Sequence, residues 1–379
     1  MSNSEMTASD VIVIGAGIAG ASLAAELAIN HHVSLLEMES QPGYHTTGRS
    51  AAMFVPSYGP KLIRALTRAS AATFQSPNAE LGIDKLLSPR AVLMIARDDQ
   101  LSSLQNLKDE VAANTEIRDL AANQLVEMNP LLRPGYAVKG FLDVESFDID
   151  VNGLHQAYLR RFKSGSGQLF ARTNVEGITK NSGDWHVETS NGSYCAPLIV
   201  NAAGAWADEI NKLAGSPLIG LVPKRRTMIV VDHPSDTDLT AMPMTIDVDE
   251  QFFLKPEAGQ LVLSPADETP SPPCDAQPEE LDIAIGIDRI EKAFDFPIKR
   301  PKSAWAGLRS FVADKVPVAG FTDQAKSFFV LAGQGGYGIQ TCPALSRLAA
   351  ALVSDHKIPS DIADHGIDPE ELAPLRLLR

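Results

Sequence analysis

The sequence contains few cysteines. Cys195, Cys274 and Cys342 are the only three among its 379 residues. Their number is odd and their spacing is not that of a zinc-binding motif, so we expect free thiols and no bound metal. Free thiols are typical of a reducing compartment, which favours a cytoplasmic location over a secreted one.

A long uninterrupted hydrophobic segment is also lacking. The most apolar stretch, residues 11–25, contains three glycines and is followed by Glu26. It is shorter than the roughly 18 residues that a membrane-spanning helix requires. The leader MSNSEMTASD carries no lysine or arginine, whereas a secretory signal begins with positive charge. We therefore expect neither a membrane span nor a secretory signal.

The sequence also lacks an excess of positive charge. Lysine and arginine number 33 against 47 aspartates and glutamates, which gives a net charge of −14. Nucleic-acid binding depends on clustered cationic side chains, and the main basic run is the short PKRRT at residues 223–227. The composition therefore argues against a nucleic-acid partner.

The sequence does contain a glycine pattern near its start, in the stretch DVIVIGAGIAGASLAAEL. Its apolar run predicts a buried parallel strand, and a helix begins within the Gly15-x-Gly17-x-x-Gly20 that follows. Gly15 permits the tight turn, Gly17 lets the backbone approach a pyrophosphate, and Gly20 lets the helix pack against the strand. Phosphates bind the free N–H groups at such a helix start.

A second strand supports a dinucleotide site. The segment HVSLLE predicts a strand that ends in Glu37, about twenty residues after the glycines, where a carboxylate accepts hydrogen bonds from ribose hydroxyls. An unphosphorylated ribose fits a carboxylate best, so the pattern indicates FAD or NAD rather than NADP.

The rest of the chain predicts an α/β protein with two domains. Residues 40–60 are dense in glycine, serine, threonine and proline, as in a loop that lies against a ligand. PKLIRALTRASAATFQS predicts a helix and PRAVLMIA a strand. A helical, acidic stretch is expected from Asp98 to about Glu127, and a further helix is expected to begin after Asp150.

The later segments predict two kinds of sheet. A hairpin at Asn191-Gly192 leads to a strand and a second strand–glycine–helix unit. Short strands between about residues 222 and 305 are typical of an antiparallel sheet, and FFVLAGQGGYGIQTCPALSRLAAALV restores the strand–turn–helix pattern. We expect one domain from residues 1–84, 143–206 and 306–379, and a second from residues 85–142 and 207–305.

Five segments together resemble the FAD-dependent D-amino-acid oxidase and glycine oxidase (DAO) family: the first glycine turn, GYHTTGRSAA, VNAAGAWADEI, WAGLRSFVAD and GQGGYGIQT. The similarity spans nearly the whole chain, and the runs GLRSFVAD and QGGYGIQT are most similar to bacterial D-arginine dehydrogenases. The resemblance implies a glutathione-reductase-like Rossmann domain that binds FAD non-covalently, with an α+β substrate domain built on an antiparallel sheet.

The resemblance also implies the reaction. A flavin dehydrogenase or oxidase of this family takes a hydride from the substrate Cα to flavin N5. The resulting imino acid is hydrolysed by water to a 2-oxo acid and ammonia. The partners expected are an amino acid substrate and an electron acceptor, and the sequence does not decide between oxygen and a quinone.

Cofactor contacts are carried over from the family to matching positions. Helix N–H groups after the last glycine turn would stabilise the negative charge of reduced flavin. The expected cofactor-binding residues are Gly15, Gly17, Ile18, Ala19, Gly20, Glu37, Met38, Thr47, Gly48, Arg49, Ser50, Ala51, Ala52, Val175, Ala202, Ala203, Gly204, Trp206, Gly307, Arg309, Gly335, Gly336, Tyr337, Gly338, Ile339 and Gln340.

By resemblance, Arg226 and Arg309 bind the substrate carboxylate, which an arginine fork meets with two parallel hydrogen bonds. The KRR run around Arg226 also fits a solvated basic turn, whereas Arg309 lies among apolar residues and needs an anionic partner. Tyr58 matches a family tyrosine that covers the substrate, in a loop expected to act as a lid. The expected pocket residues are Met53, Val55, Val92, Phe253 and Gly336.

No residue is expected to act as a strong base, because a bound amine loses its proton to water or to a weak acceptor. His45 lies in the flavin loop and is interpreted as a hydrogen-bond donor. His155 lies in a predicted helix and is interpreted as structural.

One position departs from the D-arginine enzymes, which carry a glutamate where this chain has Val92. A buried guanidinium without a charge partner is strongly unfavourable, so arginine and lysine are expected to be poor substrates. Met53, Val55 and Phe253 also replace more polar side chains. We expect neutral or hydrophobic D-amino acids as substrates, unless a compensating acid reaches the pocket; the candidates are Asp84, Asp247 and Asp249.

Three alternatives stay open. They are a glycine- or sarcosine-type oxidase of N-alkyl amino acids, a 2-hydroxy-acid oxidoreductase, and a non-catalytic flavoprotein. Oxidation of a hydroxyl needs a base near Cα, which no predicted pocket histidine clearly supplies. The two arginines and the tyrosine argue against a non-catalytic protein.

Overall fold

The computed structural model describes residues 6–235 and 237–378. Residues 1–5, on which the expectation of no secretory signal partly depends, lie outside the described residues. Within the described ranges, no helix is long and apolar enough to cross a membrane.

A mostly parallel sheet forms one layer. In the described part of the chain it consists, in spatial order, of β10 (Gly167–Phe170), β3 (Val33–Leu36), β2 (Val11–Ile14), β14 (Leu198–Asn201), β22 (Phe328–Ala332) and β21 (Val318–Phe321). All neighbours are parallel except the edge pair β21 and β22. Every residue of β2 and β3 is buried, as is typical of strands covered on both faces.

Four longer helices pack around this sheet, and α1 contacts both α6 and α9. They are α1 (Ile18–Leu27), α2 (Lys61–Gln75), α6 (Val151–Ser164) and α9 (Gly338–Val353). The remaining helices are α3 (Pro77–Leu81), α4 (Leu101–Val111), α5 (Ala122–Met128), α7 (Ala207–Leu213), α8 (Glu280–Ala293) and α10 (Ser360–Ala363).

A larger mixed sheet forms the second layer. Its described strands are, in spatial order, β19 (Thr269–Pro270), β15 (Val222–Val231), β18 (Gln260–Ser264), β17 (Phe253–Glu257), β16 (Met244–Asp247), β6 (Val92–Ala96), β8 (Lys139–Asp143) and β7 (Ile117–Ala121). Strand β20 (Ser303–Phe311) pairs with β15 along most of its length.

Two small sheets complete the described architecture. One contains β1 (Thr7–Ala8), β13 (Gly192–Ala196), β12 (Asp184–Thr189) and β11 (Val175–Asn181). The other contains β4 (Met53–Phe54), β9 (Phe147–Ile149) and β5 (Leu87–Pro89).

Most predicted elements are confirmed. The helix after Asp150 is α6, and the Asp150 carboxylate caps it by accepting a hydrogen bond from the Gly153 N–H at 2.7 Å. The Asn191-Gly192 hairpin joins β12 and β13, and α2, β6, β14 and α9 are present where the pattern predicts them.

Two predictions of local structure are wrong. The expected acidic helix from Asp98 to about Glu127 is divided into α4 and α5 by β7, because β7 pairs with β8. The segment from 222 to 305 is not purely antiparallel sheet, since it contains α8, and β16 runs parallel to β6. In both cases pairing with a distant strand overrides the local pattern.

The topology places the glycine turns at one edge. Gly15 follows β2, Glu37 follows β3, Ala202 follows β14 and Gly333 follows β22, so all four lie at the carboxyl ends of parallel strands. This edge is where open α/β sheets bind nucleotides. The predicted domain division stays a prediction, and β20 crosses its boundary between residues 305 and 306.

We expect Gly20→Ala to destabilise the fold. A Cβ at Gly20 would lie 1.8 Å from the Gly15 carbonyl oxygen, so α1 must move away from the turn. The expected loss in the free energy of unfolding is about 1–3 kcal/mol, in spite of alanine's higher helix propensity. Gly177→Ala is the control, because its nearest neighbour is 3.8 Å away. Urea unfolding curves measure both, and equal stability of the two variants would contradict the packing role of Gly20.

Candidate active site

A cleft of about 320 Å³ runs from the first glycine turn to the face of β15 and β20. Residues of both large sheets line it, so it lies where the two layers meet. Its volume is in the range of small-molecule sites.

The glycine turn at one end of the cleft fits a dinucleotide. Gly15 has φ +99°, and a Cβ there would lie 2.6 Å from the Ala202 carbonyl oxygen. Gly17 is the N-cap of α1 and has no side-chain cap, which leaves N–H groups at the helix start open to an anion. The Ile18 N–H is held instead by Thr47 Oγ1 at 2.9 Å.

Glu37 is buried beside this turn. Its Oε2 accepts a hydrogen bond from the Ala16 N–H and its Oε1 from the Glu39 N–H, both at 2.9 Å. Burial raises the pKa of Glu37, and these two hydrogen bonds oppose the shift. Each carboxylate oxygen can accept a further hydrogen bond, as a ribose would require.

The loop after Glu37 is tied to the second sheet by Arg49. The Arg49 guanidinium pairs with Asp275 and donates to the carbonyls of Ala276 and Ala306 at 2.9 and 3.0 Å. The Trp305 indole N–H in turn donates to the Arg49 carbonyl at 3.0 Å. Arg49 lines the cleft, but its charge is engaged in fixing the loop.

His45 also has its partner within the loop region. Its Nε2 lies 2.9 Å from Glu39 Oε1, and its ring packs 4.7 Å from the Trp206 ring, centroid to centroid. The histidine therefore has a carboxylate partner through one ring nitrogen and lies at the flavin loop.

The centre of the cleft contains polar atoms without partners. The backbone N–H of Val55 donates to Gln340 Oε1 at 3.1 Å, which leaves the Gln340 amide N–H group pointing elsewhere. Among the described residues, neither this Nε2 nor that of Gln334 has a hydrogen-bond partner, although both atoms are buried and both residues line the cleft. Orphaned donors of this kind fit a ligand with acceptor atoms. Helix α9 also begins here without a side-chain cap.

Two arginines lie at the far end of the cleft. Arg226 on β15 pairs with Gly307 on β20, so Arg226 and Arg309 project from the same face of neighbouring strands. Arg226 is 4% exposed and donates from Nε to the Asp267 carbonyl at 2.9 Å. Its nearest carboxylate contact, Glu268, is long at 3.5 Å. Burial and the neighbouring charge of Arg309 lower the pKa of Arg226.

Arg309 is half-buried and faces the cleft beside Tyr58 and Glu250. Within residues 6–235 and 237–378, no carboxylate is close enough to form an ion pair with it, whereas Arg226 keeps its long contact. Gly336 lies directly under the guanidinium, since a Cβ there would come 2.6 Å from Arg309 Cζ. The two arginines therefore form an anion site.

Tyr58 lies over this anion site. Its hydroxyl donates to Glu250 Oε2 at 3.1 Å, and its ring packs 5.2 Å from that of Tyr337. Burial and the Glu250 charge raise the pKa of Tyr58, so the phenol stays protonated at neutral pH. The predicted lid loop is anchored, because Ser57 donates to the buried Asp143 at 2.5 Å and Arg64 donates to the Gly59 carbonyl at 2.6 Å.

The wall beside the arginines is apolar. Met53, Val55 and Phe253 line the cleft where the resemblance places them. Further lining residues were not expected from the sequence: Met228, Met244, Ile246 and Glu250. Met228 is two residues after Arg226 on the same strand, and this alternation is the signal that could have found it.

Val92 does not line the cleft. It is fully buried in the apolar cluster beside Met244, its partner on β16, and its short side chain does not reach the cavity. The three acids named as candidates for compensation, Asp84, Asp247 and Asp249, do not line it either. Asp247 is buried and accepts hydrogen bonds from Gln100 and Arg97.

Three expected cofactor residues lie behind the cleft surface. Gly20 packs against Gly15, Gly48 donates its N–H to the Gly43 carbonyl at 2.7 Å, and Tyr337 packs against Tyr58. All other expected cofactor residues line the cleft. Their binding roles stay predictions.

Comparison with known proteins identifies the cofactor. The family model for DAO, FAD dependent oxidoreductase, matches residues 10–352. A glycine oxidase of Geobacillus kaustophilus is 22% identical over 93% of this chain and 95% of its own. A glycerol 3-phosphate dehydrogenase of Caloramator mitchellensis is 24% identical over 89% of this chain and 72% of its own.

Solved structures show the same fold. The crystal structure of the Geobacillus kaustophilus glycine oxidase superposes with a TM-score of 0.80 at 21% identity, over 93% of this chain and 96% of its own. L-α-glycerophosphate oxidase of Mycoplasma pneumoniae, with FAD bound, superposes with a TM-score of 0.82 at 20% identity, over 92% of this chain and 95% of its own. The cofactor of this chain is FAD, and the uncapped helix starts and orphaned amides of the cleft fit it.

We expect Gly336→Ala to weaken carboxylate binding at the anion site. The added methyl group pushes the Arg309 guanidinium out of place without removing its charge. Acetate, followed by its effect on the flavin absorbance spectrum, should bind about 10-fold more weakly, since charge-assisted hydrogen bonds each contribute roughly 1.5–3 kcal/mol. Arg309→Met removes the guanidinium group altogether, so it shows the largest loss of acetate affinity expected at this site. Unchanged acetate affinity in both variants would contradict the anion site.

Proposed function

The chain belongs to the DAO family of FAD-dependent oxidoreductases, and we propose that it oxidises D-amino acids with neutral or hydrophobic side chains at Cα. The product is an imino acid, which water hydrolyses to a 2-oxo acid and ammonia. FAD supplies the hydride acceptor when bound. The observation that carries the proposal is the half-buried Arg309, without an ion pair in the described residues, beside Arg226 at the end of the FAD cleft.

The two arginines bind and orient the substrate. A carboxylate held by Arg309 and Arg226 places a negative charge between two cations that otherwise repel each other. Because the carboxylate is bonded directly to Cα, fixing it restricts where Cα lies in the cleft. The arginine pair thus supplies orientation rather than proton transfer.

The proton of the substrate amine needs no strong base. An ammonium group is far more acidic than an alcohol and can lose its proton to water or a weak acceptor. Tyr58 stays protonated, and its hydroxyl is held by Glu250, so it covers the anion site as a neutral group.

The apolar wall supports the proposed side-chain preference. Met53, Met228, Met244, Ile246 and Phe253 offer a guanidinium or ammonium group no charged partner and, in the methionine sulfurs, only weak hydrogen-bond acceptors. Glu250 is the exception: it lines the cleft at its exposed side, where it accepts a hydrogen bond from Tyr58 and can accept more, so only the buried part of the wall is free of charge. Neutral side chains therefore fit this wall best.

We propose the D configuration on the resemblance of the runs GLRSFVAD and QGGYGIQT to those of D-arginine dehydrogenases. The proposal leaves oxygen and a quinone as alternative electron acceptors. It includes a cytoplasmic location, which three free thiols support.

A second candidate is oxidation of glycine or of N-alkyl amino acids, supported by the similarity to glycine oxidase across most of the chain.

A glycerol phosphate is a third candidate substrate, because two arginines also bind phosphate and one relative is named a glycerol 3-phosphate dehydrogenase. The apolar wall disfavours it, since the glycerol hydroxyls would lose their hydrogen bonds with water. Oxidation of a 2-hydroxy acid would need a base near Cα, and His45, the histidine among the described cleft residues, is paired with Glu39 in the flavin loop. A non-catalytic role leaves the anion site unused.

Anaerobic reduction of the bound flavin tests the proposal. The panel is D-leucine, D-methionine, D-phenylalanine, L-leucine, D-arginine, glycine, sarcosine, D-lactate and glycerol 3-phosphate. We expect fast bleaching of the flavin by the apolar D-amino acids and slow bleaching by the others. Fast bleaching by sarcosine or glycerol 3-phosphate alone would replace the proposal with that candidate, and no bleaching by any amine would refute it.

Position 92 provides a test of side-chain preference. Val92→Glu adds a longer, charged side chain beside Met244 that can reach the cavity, so the ratio of kcat/KM for D-arginine to that for D-leucine should rise about 10-fold or more. Val92→Gln has nearly the same size without the charge and serves as the control. A similar ratio in the two variants would show that charge at this position does not select the substrate.

A further inference from the structure

His155, on α6, lies beneath the first glycine turn. It is 4% exposed, and its Nε2 lies 2.9 Å from the Ala16 carbonyl oxygen. Because a carbonyl only accepts hydrogen bonds, the proton must be on Nε2, and His155 is the donor. Ala16 stands between Gly15 and Gly17, so this contact reaches the centre of the turn.

The contact fixes a peptide group that faces the cofactor. The Ala16 carbonyl and the Gly17 N–H belong to one planar, trans peptide unit, in which they point in opposite directions. Holding the carbonyl towards α6 therefore turns the Gly17 N–H away from α6, and Gly17 lines the cleft. On the preceding peptide unit, Glu37 holds the Ala16 N–H at 2.9 Å. Both peptide planes that flank Ala16 are thus fixed.

The imidazole of His155 also packs between the first glycine turn and the loop that contains Gly43 and Thr47, and both segments line the cleft. Gly43, at φ +79°, lies against the ring, and a Cβ there would come 2.8 Å from His155 Cε1. Thr47, in the same loop as Gly43, accepts the Ile18 N–H at 2.9 Å. The ring therefore contacts the turn and the loop at once.

We infer that His155 is a positioning residue for the FAD diphosphate: by donating to the Ala16 carbonyl, it holds the Gly17 N–H in the orientation that binds phosphate. Burial lowers the pKa of His155, so the ring is neutral at neutral pH and adds no charge to the site. Its contribution is orientation alone.

Loss of the His155 donor is expected to weaken FAD binding, because the glycine turn can change its conformation only when FAD is absent. Without the His155 donor, the Ala16 carbonyl is buried and unsatisfied, and its peptide unit gains by rotating towards water in the open cleft. FAD binding must then reverse that rotation, so the penalty for an unsatisfied carbonyl appears in the dissociation constant.

The test compares variants that keep or lose the donor. His155→Phe and His155→Leu fill the site without a donor, in two sizes, and His155→Gln keeps an N–H group. His356→Phe is the control, since His356 is exposed beyond the end of α9. The Kd of FAD is measured on the full chain from the rise in FAD fluorescence when the holoenzyme is diluted. The unfolding midpoints of holoenzyme and apoprotein are measured alongside.

We expect the donor-free variants to raise the Kd of FAD by about 5- to 150-fold, the equivalent of ~1–3 kcal/mol. His155→Gln should stay within about 5-fold of the unaltered chain, and the unfolding midpoint should fall more in the holoenzyme than in the apoprotein. An unchanged Kd with equal falls in both midpoints would overturn the inference, because His155 would then support only the fold. So would His155→Gln binding FAD as weakly as whichever donor-free variant folds.

Discussion

Two guanidinium groups held side by side are the constraint on which the site depends. The antiparallel pairing of β15 and β20 brings Arg226 and Arg309 to one face, where burial and the charge of Arg309 lower the pKa of Arg226. Against the effect of burial, Tyr58 and Glu250 raise the pKa of Arg309. Glu268 offsets only part of this charge, through a contact of 3.5 Å. An anionic ligand completes the arrangement. In a chain with a net charge of −14, this local positive charge is a specific feature of the cleft.

The two sheets contribute different parts of the chemistry. The parallel sheet brings the glycine turns and Glu37 to one edge, where backbone groups bind the cofactor. The mixed sheet supplies the anion site and most of the apolar wall, to which Met53 of β4 and Val55 are added. Arg49 and Trp305 join the two at the cleft, through hydrogen bonds to backbone carbonyls. Cofactor and substrate positions are therefore linked by direct contacts between the layers.

Features that depend on local sequence were predictable. The first glycine turn, its strand and the cap at Asp150 follow from short patterns, and the isolation of Arg309 among apolar residues already indicated an anionic partner. Features that depend on pairing between distant segments were not. Glu250 and Met244 enter the cleft only because β16 and β17 pair as they do, and His155 reaches Ala16 across 139 residues of sequence. Val92 lies beside Met244 and outside the cleft lining for the same reason, since its packing is set by strand β16.

The most direct test of the account compares D-leucine with D-leucinamide in anaerobic reduction of the bound flavin. The two share the amine, Cα and side chain, and differ in the group that Arg226 and Arg309 are proposed to bind. The account predicts that the amide reduces the flavin at least about 100-fold more slowly at equal concentration, because it loses two charge-assisted hydrogen bonds. Reduction at similar rates would contradict the central role of the arginine pair.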